Sequence, residues 1–117
     1  MPSPVEHDLK DRTFQFARRI IHLFTALPTK SLPQILGRQV LRSGTAIGAN
    51  YREAFRARSR LEFRAKIGDC LKEAEETEYW LQLFQAEQII KPARLQPLIQ
   101  ETKELIAILV TLRNRTK

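Results

Sequence analysis

The chain has 117 residues, of which 43% are hydrophobic and 28% are charged. This composition is typical of one globular domain and excludes a fibrous or disordered protein. No apolar run approaches the roughly 20 residues that a membrane-spanning helix needs, and no signal peptide is apparent. The single cysteine, Cys70, excludes an intrachain disulfide framework and predicts a cytoplasmic protein.

The formal net charge is +7, and the excess lies in the first part of the chain. Residues 1–66 contain 13 basic and 5 acidic side chains, whereas residues 67–117 contain 7 and 8. Clustered basic side chains attract polyanions and acidic protein surfaces. This uneven distribution of charge therefore predicts that the first part of the chain binds a nucleic acid or an acidic surface of a partner.

Four segments show the apolar spacing of three and four residues that is typical of an amphipathic helix. Their expected ranges, in chain order, are about 9–27, 32–56, 60–88 and 93–113. Pro28 and Pro92 mark two of the breaks, because proline disfavours helical conformation in the residue before it. No segment alternates with the period of two that a half-buried strand shows. The sequence therefore predicts an all-α fold, an antiparallel up-down-up-down four-helix bundle in one domain over residues 1–117.

Capping boxes are expected where the second and third helices begin. In Ser31–Gln34 and in Ser59–Glu62, the serine oxygen can accept from the backbone N–H three residues on, and the Gln or Glu can reach back. The break before the third helix depends on the Ser59 cap alone, because the preceding residues, Arg56-Ala57-Arg58, contain no proline or glycine. The expected core stripe of the third helix is Ile67, Leu71, Ala74, Leu81 and Phe84.

The sequence offers no set of residues for metal or nucleophilic catalysis. Ferritin-like bundles need a Glu-x-x-His pair on each of two helices, and neither His7 nor His22 follows a glutamate at that spacing. Cys70 lies next to the core stripe, where it is expected to be a small buried apolar residue. We therefore expect no catalytic residue, no metal and no cofactor.

A stripe of six positions, one per turn, runs along the second helix, and four of the six are arginines. The stripe comprises Arg38, Arg42, Thr45, Ala49, Arg52 and Arg56, and its charge continues in Arg58, Arg60 and Arg64. The guanidinium fork suits phosphate and carboxylate alike. No aromatic residue is interleaved, which indicates contact with a nucleic-acid backbone and not with bases. A solvated surface, a subunit interface and a nucleic-acid surface all remain open interpretations.

An acidic row on the third helix could pair with these arginines in the same chain or in a neighbouring subunit; it comprises Asp69, Glu73 and Glu76. Between the arginines, the segment Ser43–Asn50 contains two glycines, Gly44 and Gly48. Each glycine lowers the stability of a helix by about 1 kcal/mol relative to alanine. Because small residues allow close contact, another helix is expected to approach closely here. Tight packing inside the bundle is the favoured interpretation, and a self-association groove is the alternative.

Two segments carry a family resemblance. The segment RSGTAIGANYREA, at Arg42–Ala54, looks like the signature of a bacterial four-helix bundle family encoded by intervening sequences of 23S ribosomal RNA genes. The segment KEAEETEYWL, at Lys72–Leu81, resembles the second signature of that family. The tryptophan that many relatives have in the first helix is absent, and Phe14 or Phe16 occupies that region.

The resemblance implies a four-helix bundle that assembles as a cyclic homopentamer. It extends to the accessory protein of diversity-generating retroelements, a basic pentamer that binds nucleic acid and a reverse transcriptase. The partners to expect are therefore further copies of this chain, RNA or DNA, and another protein such as a reverse transcriptase. No membrane partner is expected.

Two functional hypotheses follow. In the first, a nonenzymatic homo-oligomer binds nucleic acid through phosphate contacts made by Arg38, Arg42, Arg52, Arg56, Arg58, Arg60 and Arg64. In the alternative, the chain is a protein-interaction scaffold without a nucleic-acid role, and its arginines form subunit or partner contacts. The expected oligomer interface comprises Arg42, Gly44, Gly48, Asn50, Arg52, Asp69, Glu73 and Glu76.

Overall fold

The computed structural model describes the backbone of residues 4–116 and the side chains of residues 8–116. This part of the chain contains four α-helices and no strand: α1 (Pro4–Thr25), α2 (Ser31–Ala54), α3 (Arg60–Ala86) and α4 (Pro92–Arg115). Each helix packs against the next in the sequence, and α4 returns to α1. Short connections between neighbours make the arrangement antiparallel, and the bundle is 45 Å long. The predicted all-α, up-down-up-down four-helix bundle is confirmed.

The helix bounds differ from the expected ranges mainly at the N-terminus. Helix α1 begins at Pro4, five residues before the expected start. Proline is well tolerated in a first turn, because its missing N–H would have no intrahelical acceptor there. The other helix ends lie within two residues of expectation.

The two expected capping boxes have different outcomes. Ser59 is the N-cap of α3, and its Oγ accepts from Glu62 N at 3.0 Å. The Glu62 carboxylate accepts from Arg58 N at 3.1 Å, one residue before the position that a capping box uses. The first capping box is wrong, because Lys30 is the N-cap of α2 and Ser31 is already helical.

The core stripe that was expected in α3 is confirmed, since all five of its residues are buried. Leu61 lies off this stripe and is 79% exposed. Cys70 is fully buried, and its burial raises the pKa of the thiol to about 12. Cys70 is therefore a protonated, unreactive core residue at neutral pH.

Helices α1 and α2 approach closely at the two glycines of the Ser43–Asn50 segment. A Cβ atom on Gly44 would lie 2.9 Å from Ile20 Cγ1, and one on Gly48 would lie 3.1 Å from Thr13 Oγ1. Both glycines are buried within the chain, which bears out tight packing inside the bundle. Their assignment to an oligomer interface stays a prediction, and within the chain α1 already covers both glycines.

Two polar contacts join other pairs of helices. The buried Thr77 hydroxyl of α3 donates to Ser43 Oγ of α2 at 2.8 Å, which satisfies two polar groups inside the core. Arg12 of α1 donates to both carboxylate oxygens of Glu101 in α4, from Nε at 3.0 Å and from Nη2 at 2.6 Å. Arg12 Nη2 also donates to Glu104 at 3.3 Å. This fork-like contact joins the first and last helices of the bundle.

Replacing Gly44 and Gly68 by alanine should change stability in opposite directions. Both variants gain helix propensity of about 1 kcal/mol, but Gly44→Ala also forces a methyl group against the buried Ile20 side chain, at an expected cost of about 1–3 kcal/mol. A Cβ on Gly68 meets nothing within 4 Å. Urea unfolding should therefore show Gly68→Ala to be more stable than Gly44→Ala by about 2 kcal/mol. Equal stabilisation of both variants would contradict the close approach of α1.

Ser31, the first residue of α2, and Ser59, the N-cap of α3, provide a matched pair for testing helix capping. Ser59→Ala removes the oxygen that accepts from Glu62 N and should lower the free energy of unfolding by about 1 kcal/mol. Ser31→Ala removes a hydroxyl from a residue that is already helical, so it should change stability little. Thermal unfolding followed by circular dichroism measures both. Similar losses in the two variants would mean that Ser31 also caps its helix.

Candidate nucleic-acid interface on α1, α2 and α3

The arginine stripe lies on the outward side of α2. Arg38, Arg42 and Arg52 are exposed, because the opposite side of the helix carries the buried residues that face α1 and α3. Arg56 and Arg58 are exposed in the connection that follows. The first turns of α3 add Arg60, which is exposed, and Arg64, which is half-buried. The structure thus places all seven predicted nucleic-acid-binding arginines along α2 and around the start of α3.

Arg42 is paired within the chain. Its Nη1 donates to Glu73 Oε2 at 3.2 Å, and its Nη2 donates to a carboxylate oxygen of Glu76. This hydrogen bond is the main cause that lowers the pKa of Glu76. The pKa of Glu73 is raised, because burial of its carboxyl outweighs the attraction of Arg42. The acidic row of α3 and the arginine stripe of α2 therefore pair within one chain at Arg42.

Four other arginines have no such partner. Among the side chains of residues 8–116, no carboxylate oxygen lies within 4 Å of the guanidinium groups of Arg38, Arg52, Arg56 and Arg58. Glu53, the acidic residue of α2, pairs instead with Lys66 Nζ at 2.8 Å. That contact lowers the pKa of Glu53 and raises the pKa of Lys66. These four guanidinium groups remain available to an anionic partner.

The residues of the expected oligomer interface do not form one surface. A groove of about 400 Å³ between α2 and α3 is lined by Arg42, Asn50, Asp69, Lys72, Glu73 and Glu76. Lys72 was not part of the expected set. Arg52 lies outside this groove, beside α1, and the two glycines are buried. Five of the eight expected residues therefore come together, in a groove where Arg42 already pairs with Glu73 and Glu76.

An aromatic residue that the sequence analysis missed lies beside the arginine stripe. Phe14 of α1 is 47% exposed, and the guanidinium carbon of Arg52 lies over its ring at 5.3 Å from the centroid. Lys10 Nζ lies over the Phe55 ring at 5.6 Å. The stripe on α2 has no interleaved aromatic residue of its own, but α1 supplies one beside Arg52. The available signal was the spacing of Lys10, Phe14, Ala17 and Ile21, which form a second row beside the core stripe of α1.

Two further features bear on the class of the protein. Within the described residues, no group of three or more His, Cys, Asp or Glu side chains is arranged to hold a metal ion. The side chain of His7 lies outside them. None of the helices in this part of the chain is long and apolar enough to cross a membrane.

The pairing of Arg42 with Glu76 should make stability depend on pH. Because the folded pKa of Glu76 is lowered, its contribution is fully present above the unfolded value of about 4.3 and is lost as the pH falls through the folded value. Glu76→Gln should therefore be less stable than the wild type at pH 7, by at most about 1 kcal/mol because Arg42 is half exposed to solvent. Urea unfolding at successively lower pH should show this difference shrink as the pH falls below the unfolded pKa toward about 2.5.

Glu75→Gln is the matched control for this prediction. Glu75 is exposed on the same helix and makes no ion pair with the described residues. This variant should match the wild type at both pH values. A Glu76→Gln variant that is as stable as the wild type at pH 7 would contradict the role of the pair.

Known proteins resemble this chain in both structure and sequence. One solved structure is that of a protein of unknown function from the S23 ribosomal protein family of Bacteroides thetaiotaomicron. It is 36% identical to this chain and superposes with a TM-score of 0.88, over 94% of this chain and 98% of that one. No curated protein matches the chain.

The family model described as 23S rRNA-intervening sequence protein matches residues 6–111. This range contains all seven arginines of the candidate interface. It also contains both signature segments, Arg42–Ala54 and Lys72–Leu81. The chain belongs to the family of 23S rRNA-intervening sequence proteins.

Proposed function

We propose that this chain is a nonenzymatic, cytoplasmic bundle that assembles as a homopentamer and binds RNA or DNA through phosphate contacts. The observation that supports it best is the set of exposed guanidinium groups that form no ion pair with the side chains of residues 8–116, those of Arg38, Arg52, Arg56 and Arg58. An arginine that is not neutralised within the fold keeps its full attraction for a polyanion. We assign no residue a catalytic role.

The spacing of the stripe suits a phosphate backbone. Arg38 and Arg52 lie 14 residues apart in α2, which corresponds to about 21 Å along a helix axis. That length spans about six phosphates at the spacing of one strand of duplex DNA. Each guanidinium fork can donate two parallel hydrogen bonds to a phosphate. A symmetric oligomer repeats the stripe, so that several weak contacts act on one strand.

The alternative is a protein-interaction scaffold whose arginines form subunit contacts. One observation weighs against its most specific form, because Arg42 already binds Glu73 and Glu76 in its own chain. Arg52 is left exposed for either function. Light scattering tests the assembly itself, and the homopentamer predicts five times the chain mass of 13.6 kDa.

Neutralising the unpaired arginines should weaken binding to nucleic acid. We expect the triple variant Arg38→Gln, Arg56→Gln, Arg58→Gln to bind short RNA and DNA more weakly than the wild type in fluorescence anisotropy at about 50 mM salt. The affinity of the wild type should fall steeply toward about 200 mM salt, because phosphate contacts release counterions. The slope of log affinity against log salt should become shallower by about 0.7–0.9 for each contact removed.

The control removes the same charge from another face of the bundle. Lys91→Gln, Arg94→Gln, Lys103→Gln replaces three exposed cations at and along α4 and should leave most of the binding intact. Equal losses in the two triple variants would mean that net charge alone drives binding. Absence of binding by the wild type even at low salt would refute the proposed function.

A further inference from the structure

We propose that a recess between α1 and α2, lined by Lys10, Asp11, Phe14 and Arg52, binds an unpaired nucleobase by stacking. This inference rests on the proposed nucleic-acid function and specifies its ligand as a single strand. The recess has a volume of about 200 Å³ and is open to solvent. It lies beside the arginine stripe, so that a strand that contacts the arginines passes over it.

The Phe14 ring lies at the surface of α1. Its neighbours Thr13 and Phe16 are buried at 1% exposure, whereas the Phe14 ring is 47% exposed. The ring adds little to the core, yet it carries the guanidinium of Arg52 over its face. A planar guanidinium is more weakly hydrated than an ammonium, so it loses water more readily on an aromatic ring, and it also stacks on planar groups. Phe14 and Arg52 together therefore offer a flat, sequence-tolerant platform of the kind that unpaired bases bind.

The recess carries charges of both signs. Lys10 and Arg52 attract a nucleic acid, but Asp11 introduces a carboxylate among them. A carboxylate repels phosphate and accepts hydrogen bonds from N–H groups such as the amino groups of bases. The recess therefore fits a base better than it fits a phosphate. Arg38, Arg56 and Arg58, whose guanidinium groups form no ion pair with the side chains of residues 8–116, fit the phosphates.

A stacking site also distinguishes single strands from duplexes. In a duplex the faces of the bases are stacked on one another and cannot reach a side chain on a convex protein surface. An unpaired base can turn out of the strand and stack on an exposed ring. Base stacking by Phe14 predicts that single strands bind more tightly than duplexes. Phosphate contacts alone predict no such preference for single strands.

The test compares strands that differ only in their bases. Fluorescence anisotropy would measure binding of a purine-rich single strand of about 12 nucleotides, the same strand with abasic sugars at its centre, and the corresponding duplex. We expect the wild type to bind the intact strand about fivefold or more tightly than the abasic strand, since stacking of one base on an aromatic ring is worth at least that factor. Phe14→Leu should abolish this ratio without changing affinity for the abasic strand.

Two further variants separate stacking from packing. Phe14→Tyr keeps an aromatic face and should retain the preference for the intact strand. Ile21→Ala removes an exposed apolar side chain from the same row of α1 and should behave like the wild type. Circular dichroism and light scattering on each variant check that the fold and the oligomer mass are unchanged.

The outcomes distinguish this inference from the proposed function. If no strand binds at low salt, the proposed function fails and the inference fails with it. If intact strand, abasic strand and duplex bind equally and Phe14→Leu changes nothing, the stacking site is refuted while phosphate binding stands. If Phe14→Leu changes the oligomer mass, the ring is a subunit contact and the inference is likewise overturned.

Discussion

The close approach of α1 to α2 determines much of what the surface of this bundle can do. Gly44 and Gly48 leave no side chain between the two helices, so Ile20 and Thr13 pack directly against the backbone of α2. At this separation, the flank of α1 lies within reach of the arginine stripe, and Phe14 contacts Arg52. Larger residues at the glycine positions would move α1 outward, and the composite surface would separate into two ordinary helix faces.

Some arginines of the bundle form ion pairs within the chain, and others are exposed without such a pair among the described residues. Arg12 and Arg42 bind carboxylates of other helices and connect α1 to α4 and α2 to α3. Arg38, Arg52, Arg56 and Arg58 make no such contact with the described residues. Paired charges at a surface contribute little to stability, so these contacts mainly orient neighbouring helices. The unpaired arginines of α2 and of the connection that follows it are thereby left exposed, where they can act on a partner.

The periodicity of the sequence was sufficient to predict the helices and the α3 core, because burial of an apolar stripe is a property of one helix at a time. The sequence predicted Ser59 correctly as the N-cap of α3. It also predicted a cap at Ser31, and nothing in the sequence excluded that second cap. Both have the right neighbours, and only the path of the chain decides which residue begins the helix. Phe14 escaped prediction for a related reason. Its meeting with Arg52 joins two helices, and spacing within one segment carries no information about which flank of α1 faces α2.

The buried thiol of Cys70 has a practical consequence. With its pKa raised to about 12 and its side chain enclosed by the core, it stays protonated and inaccessible to alkylating reagents at neutral pH. It is also the only cysteine of the chain. A second cysteine placed on the surface would therefore react alone, so a dye or spin label could be attached at a chosen position without first removing the native residue.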